Sequence, residues 1–513
     1  MSVALSGLDA HLIRVEVDSG RGLPFFHLVG LAETAVRESR VRVRSALAQL
    51  GVELNEHVIT VNLAPADLRK TGSGFDLAIA MATLGALGKV PADKLGDMLL
   101  LGELSLSGEI RPVRGVLPAL LGAAAAGHKL AVVPWHNAPE AAAIEHIVCH
   151  GASSLREVVD HFEGRSVLRS VQAVSQRAPQ QLLHDPVDLG EVRGQQAARR
   201  QLEIAAAGGH NLLMMGPPGA GKTMLARRLP TIMPPMSLED AMAVTAVHSI
   251  AGLLGRDRGL VSERPFRAPH HTISAVALLG GGEPLRPGEV SLAHLGCLFL
   301  DELLEFPRHV LEGLRQPLES GHITVCRARG RTTFPARPLL VAAVNPCPCG
   351  FAGDPHGRCA CAAERIRAYR SKLSGPLLDR IDLHLVLPSV TIAELCGVEA
   401  GESSDTVRRR VSVARAVQAE RLRRGETRAP INAALEGNDL DRVAMPDEHG
   451  ARLLRDAVEQ LGLSARGYCK VRRVARTIAD LEGTDAITAL HVAQALAARP
   501  LDRAAAPASP RAA

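Results

Sequence analysis

The segment that most restricts how this chain can fold is residues 216–223, which read GPPGAGKT. It follows an apolar run at residues 211–215 and precedes a helix-forming stretch at residues 224–228. A strand, a glycine-rich turn and a helix N-terminus in this order direct backbone N–H groups and the helix dipole at one anion. The pattern predicts a parallel α/β sheet with a nucleoside-triphosphate site, because a plain Gly/Pro turn would not fill all four fixed positions of the motif.

Each position of this loop has an expected role in binding phosphate. Lys222 is predicted to reach the β- and γ-phosphates, and Thr223 to place its hydroxyl on the Mg²⁺ that bridges them. The candidate nucleotide-binding residues are Gly216, Pro217, Pro218, Gly219, Ala220, Gly221, Lys222 and Thr223.

Composition narrows the class of protein. A chain of 513 residues predicts about three domains. Its 46% hydrophobic and 22% charged residues are typical of a soluble protein. We expect a cytoplasmic protein without membrane contact, because no segment resembles a signal peptide or a membrane span. The net charge of +5 permits DNA binding, and the scarcity of aromatic residues predicts contacts mainly to backbone phosphates.

Two further apolar runs end in polar side chains. Residues 297–300 lead into Asp301 and Glu302, which are predicted to hold the Mg²⁺ shell and to orient or deprotonate the attacking water. Residues 339–344 lead into Asn345, whose amide either contacts the water or the γ-phosphate, or simply forms a turn before a proline.

A candidate arginine lies further along the chain. Arg380 precedes the apolar run at residues 383–387. We expect it to be exposed and to act as an arginine finger on the nucleotide of a neighbouring subunit, since a planar guanidinium stabilises charge on the phosphoryl oxygens.

Several internal blocks resemble those of one family. They read FRAPHH at 266–271, GEVSLAH at 288–294, LRQPLE at 314–319 and NPCPCG at 345–350. With the motifs above, the chain resembles the AAA+ ATPases of the magnesium-chelatase-like branch, and most closely the ComM/YifB family.

The resemblance implies roles and partners. It implies ATP as the nucleotide, Walker A at residues 216–223, Walker B at Asp301 and Glu302, sensor 1 at Asn345 and the arginine finger at Arg380. Arg466, in the SARG segment at residues 464–467, resembles the sensor 2 arginine that reaches the γ-phosphate from a helical lid. The family also implies a homohexameric ring with a nucleotide at each subunit interface, and DNA as the partner.

The N-terminal part carries a second resemblance. Residues 70–76 (KTGSGFD) and 101–112 (LGELSLSGEIRP) resemble the proteolytic domain of Lon. Aligned on these blocks, the Lon nucleophile falls at Gly74 and its lysine near Leu117, although Ser73 is only one residue from the expected place. We expect a domain without the catalytic dyad that serves assembly or DNA contact.

These patterns predict an α/β fold in several parts. The predicted parts are a Lon-like α+β domain at 1–165, a linker at 166–186, an AAA+ core with a parallel sheet at 187–392, a helical lid at 393–503 and a disordered tail at 504–513.

Four cysteines cluster inside the predicted core, in the segment 347–361. Four thiolates on a turn-rich loop suit tetrahedral Zn²⁺, while reduced structural thiols are the alternative, and His356 is a substitute ligand. The candidate zinc ligands are Cys347, Cys349, Cys359 and Cys361.

Two segments are candidates for the pore of a ring. One is the loop insertion expected at residues 263–282; the other is a hairpin at residues 322–334. In the hairpin, Arg327, Arg329 and Arg331 are predicted to place alternate guanidiniums on one strand face, suited to tracking a phosphate backbone. A solvated basic edge that discourages strand pairing is the alternative.

The leading functional hypothesis is an ATP-driven DNA motor. The resemblance implies branch migration or unwinding in recombination during natural transformation. The alternatives are an AAA+ protein remodeller, suggested by the Lon-like domain, and a magnesium-chelatase-like motor subunit.

Overall fold

The structure is a computed structural model that describes residues 1–70, 72–171, 187–255, 259–283, 285–327, 330–354, 357–373, 375–388 and 401–504. Within these ranges no helix combines the length and the apolar character that a bilayer span requires.

The N-terminal part contains two four-stranded sheets. The first has the order β1-β2-β4-β3, with β3 parallel to β4, and the second has the order β10-β9-β8-β5, with only β10 antiparallel to its neighbour. The strands are β1 (Ser2–Ser6), β2 (Asp9–Arg21), β3 (Phe25–Val29), β4 (His57–Ala64), β5 (Met98–Leu100), β6 (Glu103–Leu104), β7 (Ile110–Arg111), β8 (Leu130–Pro134), β9 (Val148–Ala152) and β10 (Arg169–Ser170). The helices are α1 (Thr34–Arg37), α2 (Ser39–Gln49), α3 (Asp76–Ala86), α4 (Val116–Ala125), α5 (Ala138–Ala141) and α6 (Leu155–Phe162).

Burial alternates along β4, which shows which face of this strand packs on the core. Ile59, Val61 and Leu63 are fully buried, while the intervening residues are partly exposed, as expected for a strand with one face on the core. Helix α3 is buried on nearly every side, including Asp76 at its N-terminus. Arg42 donates from Nε to Asp76 Oδ2 at 2.5 Å, so this buried carboxylate is paired.

The central part is built on a five-stranded parallel sheet with the order β12-β15-β18-β11-β19. Its strands β11, β15 and β18 are buried along their whole length, as in parallel sheets covered on both faces. The strands are β11 (Leu212–Met215), β12 (Phe266–Arg267), β13 (Gly280–Gly281), β14 (Arg286–Pro287), β15 (Cys297–Leu300), β16 (His322–Arg327), β17 (Gly330–Pro335), β18 (Leu339–Val344) and β19 (Leu383–Val386). The helices are α7 (Gln196–Gly208), α8 (Lys222–Ile232), α9 (Leu238–Ala251), α10 (Ala275–Leu279), α11 (Glu289–Leu292), α12 (Arg308–Gly313), α13 (Arg315–Ser320), α14 (Ala363–Arg370) and α15 (Gly375–Leu378).

The C-terminal part is helical and shares its core with the sheet. The buried faces of α16 and α19 join the cluster that contains β11 and α7. The Ser464 side chain caps α19 by accepting from the N–H of Gly467. The helices are α16 (Ser404–Arg423), α17 (Gly437–Val443), α18 (Glu448–Leu461), α19 (Ala465–Leu481), α20 (Ala489–Ala497) and α21 (Pro500–Ala504).

A buried polar contact joins the N-terminal part to the central one. Helix α9 packs on α4, and Ser249 of α9 donates a hydrogen bond to Glu140. The N–H of Leu117 donates to the same Glu140 oxygen at 2.8 Å, and the Ser249 hydroxyl accepts from the N–H of Gly115 at 2.9 Å. Burial raises the pKa of Glu140, and these hydrogen bonds oppose that shift.

The mixed α/β fold with a parallel sheet and a helical C-terminal part agrees with the prediction. Some details differ. Arg169–Ser170 pairs with β9, so strand pairing continues past the boundary predicted at residue 165. Ala504, assigned to the tail, ends α21. Residues 172–186 of the predicted linker, 505–513 of the tail and the boundary near 392 lie outside the described residues.

Candidate nucleotide site

The lysine of the loop that follows β11 donates hydrogen bonds to three acceptors. Gly219 and Gly221 have φ of 78° and 83°, a left-handed backbone that favours glycine. Lys222 begins α8, and its Nζ donates to the carbonyls of Gly216 at 2.6 Å and Pro217 at 3.0 Å, and to Oδ1 of Asn345 at 3.0 Å. Burial lowers the pKa of Lys222, whereas the charges of the neighbouring carboxylates oppose the shift.

The carboxylates that follow β15 meet the same loop. Thr223 Oγ1 donates to Asp301 Oδ2 at 2.9 Å, which brings together the two oxygen groups expected on Mg²⁺. Glu302 has φ of 50°, and its N–H donates to Asp301 Oδ1 at 3.0 Å. The carboxyl ends of β11, β15 and β18 therefore assemble Lys222, Thr223, Asp301, Glu302 and Asn345 at one sheet edge.

A histidine contacts the proposed catalytic carboxylate. His271 Nδ1 lies 3.5 Å from Glu302 Oε2, and the His271 ring is 4.1 Å from that of His270. Both histidines belong to the FRAPHH block and to the loop insertion expected at residues 263–282. The sequence offered no reason to pair His271 with a carboxylate 31 positions later (302 − 271).

Arg380 and the Arg466 guanidinium lie at the opposite end of the sheet, where strands β11 and β19 begin. Arg380 precedes β19, and the first residue of β19 pairs with the first residue of β11. The backbone carbonyl of Arg380 accepts a hydrogen bond from Asn211 Nδ2 at 2.8 Å. Arg466 Nη1 lies 2.9 Å from Asp379 Oδ2. A four-residue strand is about 13 Å long, so the backbone of Arg380 lies about one strand length from the end of the sheet that carries Lys222.

The environment of Arg380 differs from the prediction. We expected an exposed side chain, but only 14% of it is exposed and it forms an ion pair with Glu319. Burial lowers the pKa of Arg380, with the positive charges of Arg466 and Arg315 acting in the same direction. Glu319 ends the LRQPLE block, to which the sequence had assigned no role.

The four candidate zinc ligands come together in space. The Cys347 and Cys349 sulfurs are 3.3 Å apart, and Cys359 Sγ lies 3.7 Å and 3.6 Å from them. The Cys361 sulfur completes the set, and all four sulfurs lie within 4.8 Å of one another. Tetrahedral zinc with Zn–S bonds of about 2.3 Å requires sulfurs about 3.8 Å apart, so the donor set fits the ion. His356 lies outside the described residues.

The predicted basic hairpin forms, but its arginines do not share one strand. Strands β16 and β17 pair antiparallel, with Arg327 opposite Gly330 and Arg331 opposite Cys326. Arg327 therefore ends one strand, and Arg331, which is exposed, lies on the other. The prediction that the arginines share one strand face was wrong, because Arg327 and Arg331 lie on two paired antiparallel strands. Arg329 lies outside the described residues.

The Lon-like blocks fold without a serine–lysine pair at the aligned positions. Gly74 has no side chain to act as a nucleophile, and Leu117 is fully buried in α4. Ser73 donates a hydrogen bond to Glu103. Lys70 is fully buried with Nζ donating to the carbonyl of Pro65, and burial lowers its pKa.

Comparison with protein families agrees with this architecture. Residues 188–395 match the family described as magnesium chelatase, subunit ChlI. Residues 15–137 match subunit ChlI of Mg-chelatase, and residues 401–499 match its C-terminal family. A part of the chain is also 28% identical over 145 residues to the Lon protease of Trichlorobacter lovleyi, covering 26% of this chain and 17% of Lon.

Relatives match over almost the whole length. A protein of Mycobacterium tuberculosis (strain ATCC 25618 / H37Rv) is 44% identical over 97% of both chains. YifB of Escherichia coli (strain K12) is 43% identical over 98% of this chain and 96% of YifB. Competence protein ComM of Haemophilus influenzae (strain ATCC 51907 / DSM 11121 / KW20 / Rd) is 42% identical over 98% of this chain and 97% of ComM. The chain belongs to the ComM/YifB family of magnesium-chelatase-like AAA+ proteins.

Proposed function

We propose that the chain is the subunit of a ring-shaped, ATP-driven DNA motor that catalyses branch migration in homologous recombination. The observation that carries the proposal is the meeting of Lys222, Thr223, Asp301, Glu302 and Asn345 at one sheet edge. Similarity to a competence protein supports a role in natural transformation, in the cytoplasm where ATP and DNA are both present.

The proposed chemistry is hydrolysis of ATP with Mg²⁺. Lys222 binds the β- and γ-phosphates, while Thr223 and Asp301 supply oxygens to the Mg²⁺ shell. Glu302 orients the attacking water and accepts its proton, and Asn345 positions that water or the γ-phosphate. Without nucleotide, the Lys222 ammonium donates to the carbonyls of Gly216 and Pro217 and to Asn345, and in the proposed complex phosphate oxygens replace acceptors of this set.

The proposed assembly is a homohexamer in which the arginines act between subunits. Arg380 and Arg466 lie at the end of the sheet opposite to Lys222. In the proposed ring, both face the nucleotide bound by an adjacent subunit. In that position, Arg380 exchanges its ion pair with Glu319 for phosphoryl oxygens. Arg331 and its hairpin neighbours contact DNA phosphates.

Two further proposals concern parts of the chain that take no direct part in ATP hydrolysis. The four cysteines hold one structural Zn²⁺, since soft thiolates at tetrahedral spacing select this ion in a reducing compartment. The Lon-like part does not cleave peptides, because a serine–lysine mechanism needs a nucleophile beside an amine.

The test is ATP hydrolysis measured together with migration of a labelled synthetic four-way junction. Wild type should move the junction only with ATP, and Glu302→Gln should bind ATP but lose turnover by about 10²-fold or more. Hydrolysis by wild type without junction movement would contradict the DNA motor. It would favour the protein remodeller suggested by the Lon-like part, or a chelatase-like motor that needs separate partner subunits.

A further inference from the structure

The cysteine loop, residues 347–361, follows directly from the candidate nucleotide site. Strand β18 ends at Val344, Asn345 accepts from Lys222 Nζ at 3.0 Å, and Cys347 is only two residues further on. Cys347 is fully buried, so the first cysteine is part of the packed interior rather than of a projecting loop. Any constraint on Cys347 is therefore passed to Asn345 through two peptide units.

The loop has a second contact with the nucleotide site, through Pro218. Gly350 has φ of 85°, and a Cβ placed on it would lie 2.6 Å from Pro218 Cδ and 2.8 Å from Pro218 Cγ. Real Cβ atoms do not approach other atoms so closely. The backbone at Gly350 thus packs directly on the residue in the middle of the Walker A segment, and only glycine permits both the conformation and the approach.

The turn around the first two cysteines is held by its own hydrogen bonds. The N–H of Gly350 donates to the Cys347 carbonyl at 2.9 Å, and the N–H of Ala352 donates to Cys347 Sγ at 3.2 Å. At the exit of the loop, Arg370 of α14 donates from Nε back to the Pro346 carbonyl at 3.0 Å. Within the described part of the loop, Arg358 donates to both carboxylate oxygens of Asp354 at 2.9 Å and 2.8 Å, and the cysteine cluster adds a further crosslink.

We propose that the metal-bound cysteine loop braces the Walker A segment, so that zinc occupancy and ATP affinity are coupled within one subunit. The inference rests on the zinc site and the ATP site proposed above. A tetrahedral ion ties Cys347 and Cys349 to Cys359 and Cys361, which fixes Gly350 against Pro218 and Asn345 against Lys222. Loss of the ion frees four thiols and leaves only hydrogen bonds to hold Gly350 against Pro218 and Asn345 against Lys222, so the phosphate loop is less firmly supported.

Two glycines of this loop offer a matched pair of variants. Gly353 has φ of 83°, nearly that of Gly350, but a Cβ there would meet nothing within 4 Å. Gly350→Ala and Gly353→Ala therefore impose similar backbone strain, and only the first presses on Pro218. We expect both proteins to retain one zinc per subunit by elemental analysis. Gly350→Ala alone should bind a fluorescent ATP analogue about fivefold or more weakly, within the usual range for coupling between sites.

Equal nucleotide affinity in wild type and Gly350→Ala would overturn the coupling, and so would an equal loss in both glycine variants. Cys359→Ser together with Cys361→Ser should lose the zinc and weaken ATP binding in parallel. If wild-type protein contains no zinc, both the zinc site and this inference are refuted. If wild type contains zinc but the zinc-free cysteine variant binds ATP equally well, only the inference is refuted. None of these readouts uses DNA, so failure of junction migration does not bear on them.

Reciprocity provides a second test that does not depend on mutating the loop. If zinc strengthens ATP binding, bound nucleotide must strengthen zinc binding by the same factor. The fraction of zinc that a colorimetric chelator takes from wild type at equilibrium should fall when a non-hydrolysable ATP analogue and Mg²⁺ are present. Lys222→Ala should show no such fall, which controls for chelation of zinc by the nucleotide itself. Equal fractions with and without nucleotide in wild type would refute the coupling.

Discussion

His271 Nδ1 lies 3.5 Å from Glu302 Oε2, so a residue of the predicted loop insertion contacts the carboxylate proposed to activate water. About half of the Glu302 side chain and less than a third of the His271 side chain are exposed. A carboxylate engaged by an imidazole is less available to a water molecule. If Glu302 activates the water, we expect this contact to restrain hydrolysis.

We expect His271→Ala to raise ATP hydrolysis measured without DNA by about two- to fivefold. This range corresponds to the ~0.5–1 kcal/mol of one partly exposed polar contact. His270→Ala is the matched control, because His270 bonds to Thr272 rather than to Glu302. A lower rate in His271→Ala would show instead that the histidine helps to position the carboxylate.

Arg380→Ala should assemble and bind ATP but lose hydrolysis by about 10³-fold or more, as is typical for loss of an arginine finger. Mixing it with Lys222→Ala should restore part of the activity, because mixed interfaces combine an intact phosphate loop with an intact arginine. Glu319→Gln is the control, since it removes the ion pair of Arg380 but leaves the guanidinium. Mixed rings as inactive as either parent would argue against action between subunits.

Arg331→Ala should weaken binding of DNA to similar extents for all sequences and reduce the slope of log K against log salt by about one, the expectation for one phosphate contact. Fluorescence anisotropy from 50 to 200 mM salt measures both quantities. Arg409→Ala, at an 80% exposed position on α16, controls for the loss of one positive charge. Equal effects of the two substitutions would indicate that the hairpin is a solvated basic edge that makes no specific contact with DNA.

His384 of β19 should make the protein sensitive to acid. Burial, followed by the charge of Arg499, lowers the pKa of His384 to about 3, and among the described residues neither ring nitrogen has a hydrogen-bond partner. As the pH falls below the ordinary value of 6.5, the unfolded chain takes up the proton first. The stability contributed by neutral His384 is therefore complete above pH 6.5 and is lost as the pH falls toward 3.

We expect this loss to approach about 1.4 kcal/mol per pH unit below 6.5, the limit for one proton. His384→Leu should show a smaller fall of melting temperature than wild type between pH 7 and pH 5.5. His449→Leu, at an exposed position on α18, should behave as wild type. The same fall in wild type and His384→Leu would show that His384 does not control acid stability.

The sequence alone determined the features that are local. Residues 211–228 carry a strand, the glycine-rich turn and a helix start in one short segment, and the Asp301–Glu302 pair and Asn345 each directly follow an apolar run. Because parallel strands end at a common edge, their meeting could be predicted without coordinates. The spacing of the cysteines likewise indicated a cluster. The resemblance to ComM/YifB supplied the family, which relatives matching nearly the whole chain confirm.

Tertiary structure decided what depends on which chain segments become neighbours. Strand β12 is only two residues long, too short for a periodic pattern, and it becomes a strand by pairing with β15. The pairing register of β16 and β17 separated Arg327 from Arg331. Packing placed Gly350 on Pro218, His271 beside Glu302 and Arg380 beside Glu319. Such contacts arise from long-range packing of surfaces whose identity no local pattern encodes, which is why only the folded chain reveals them.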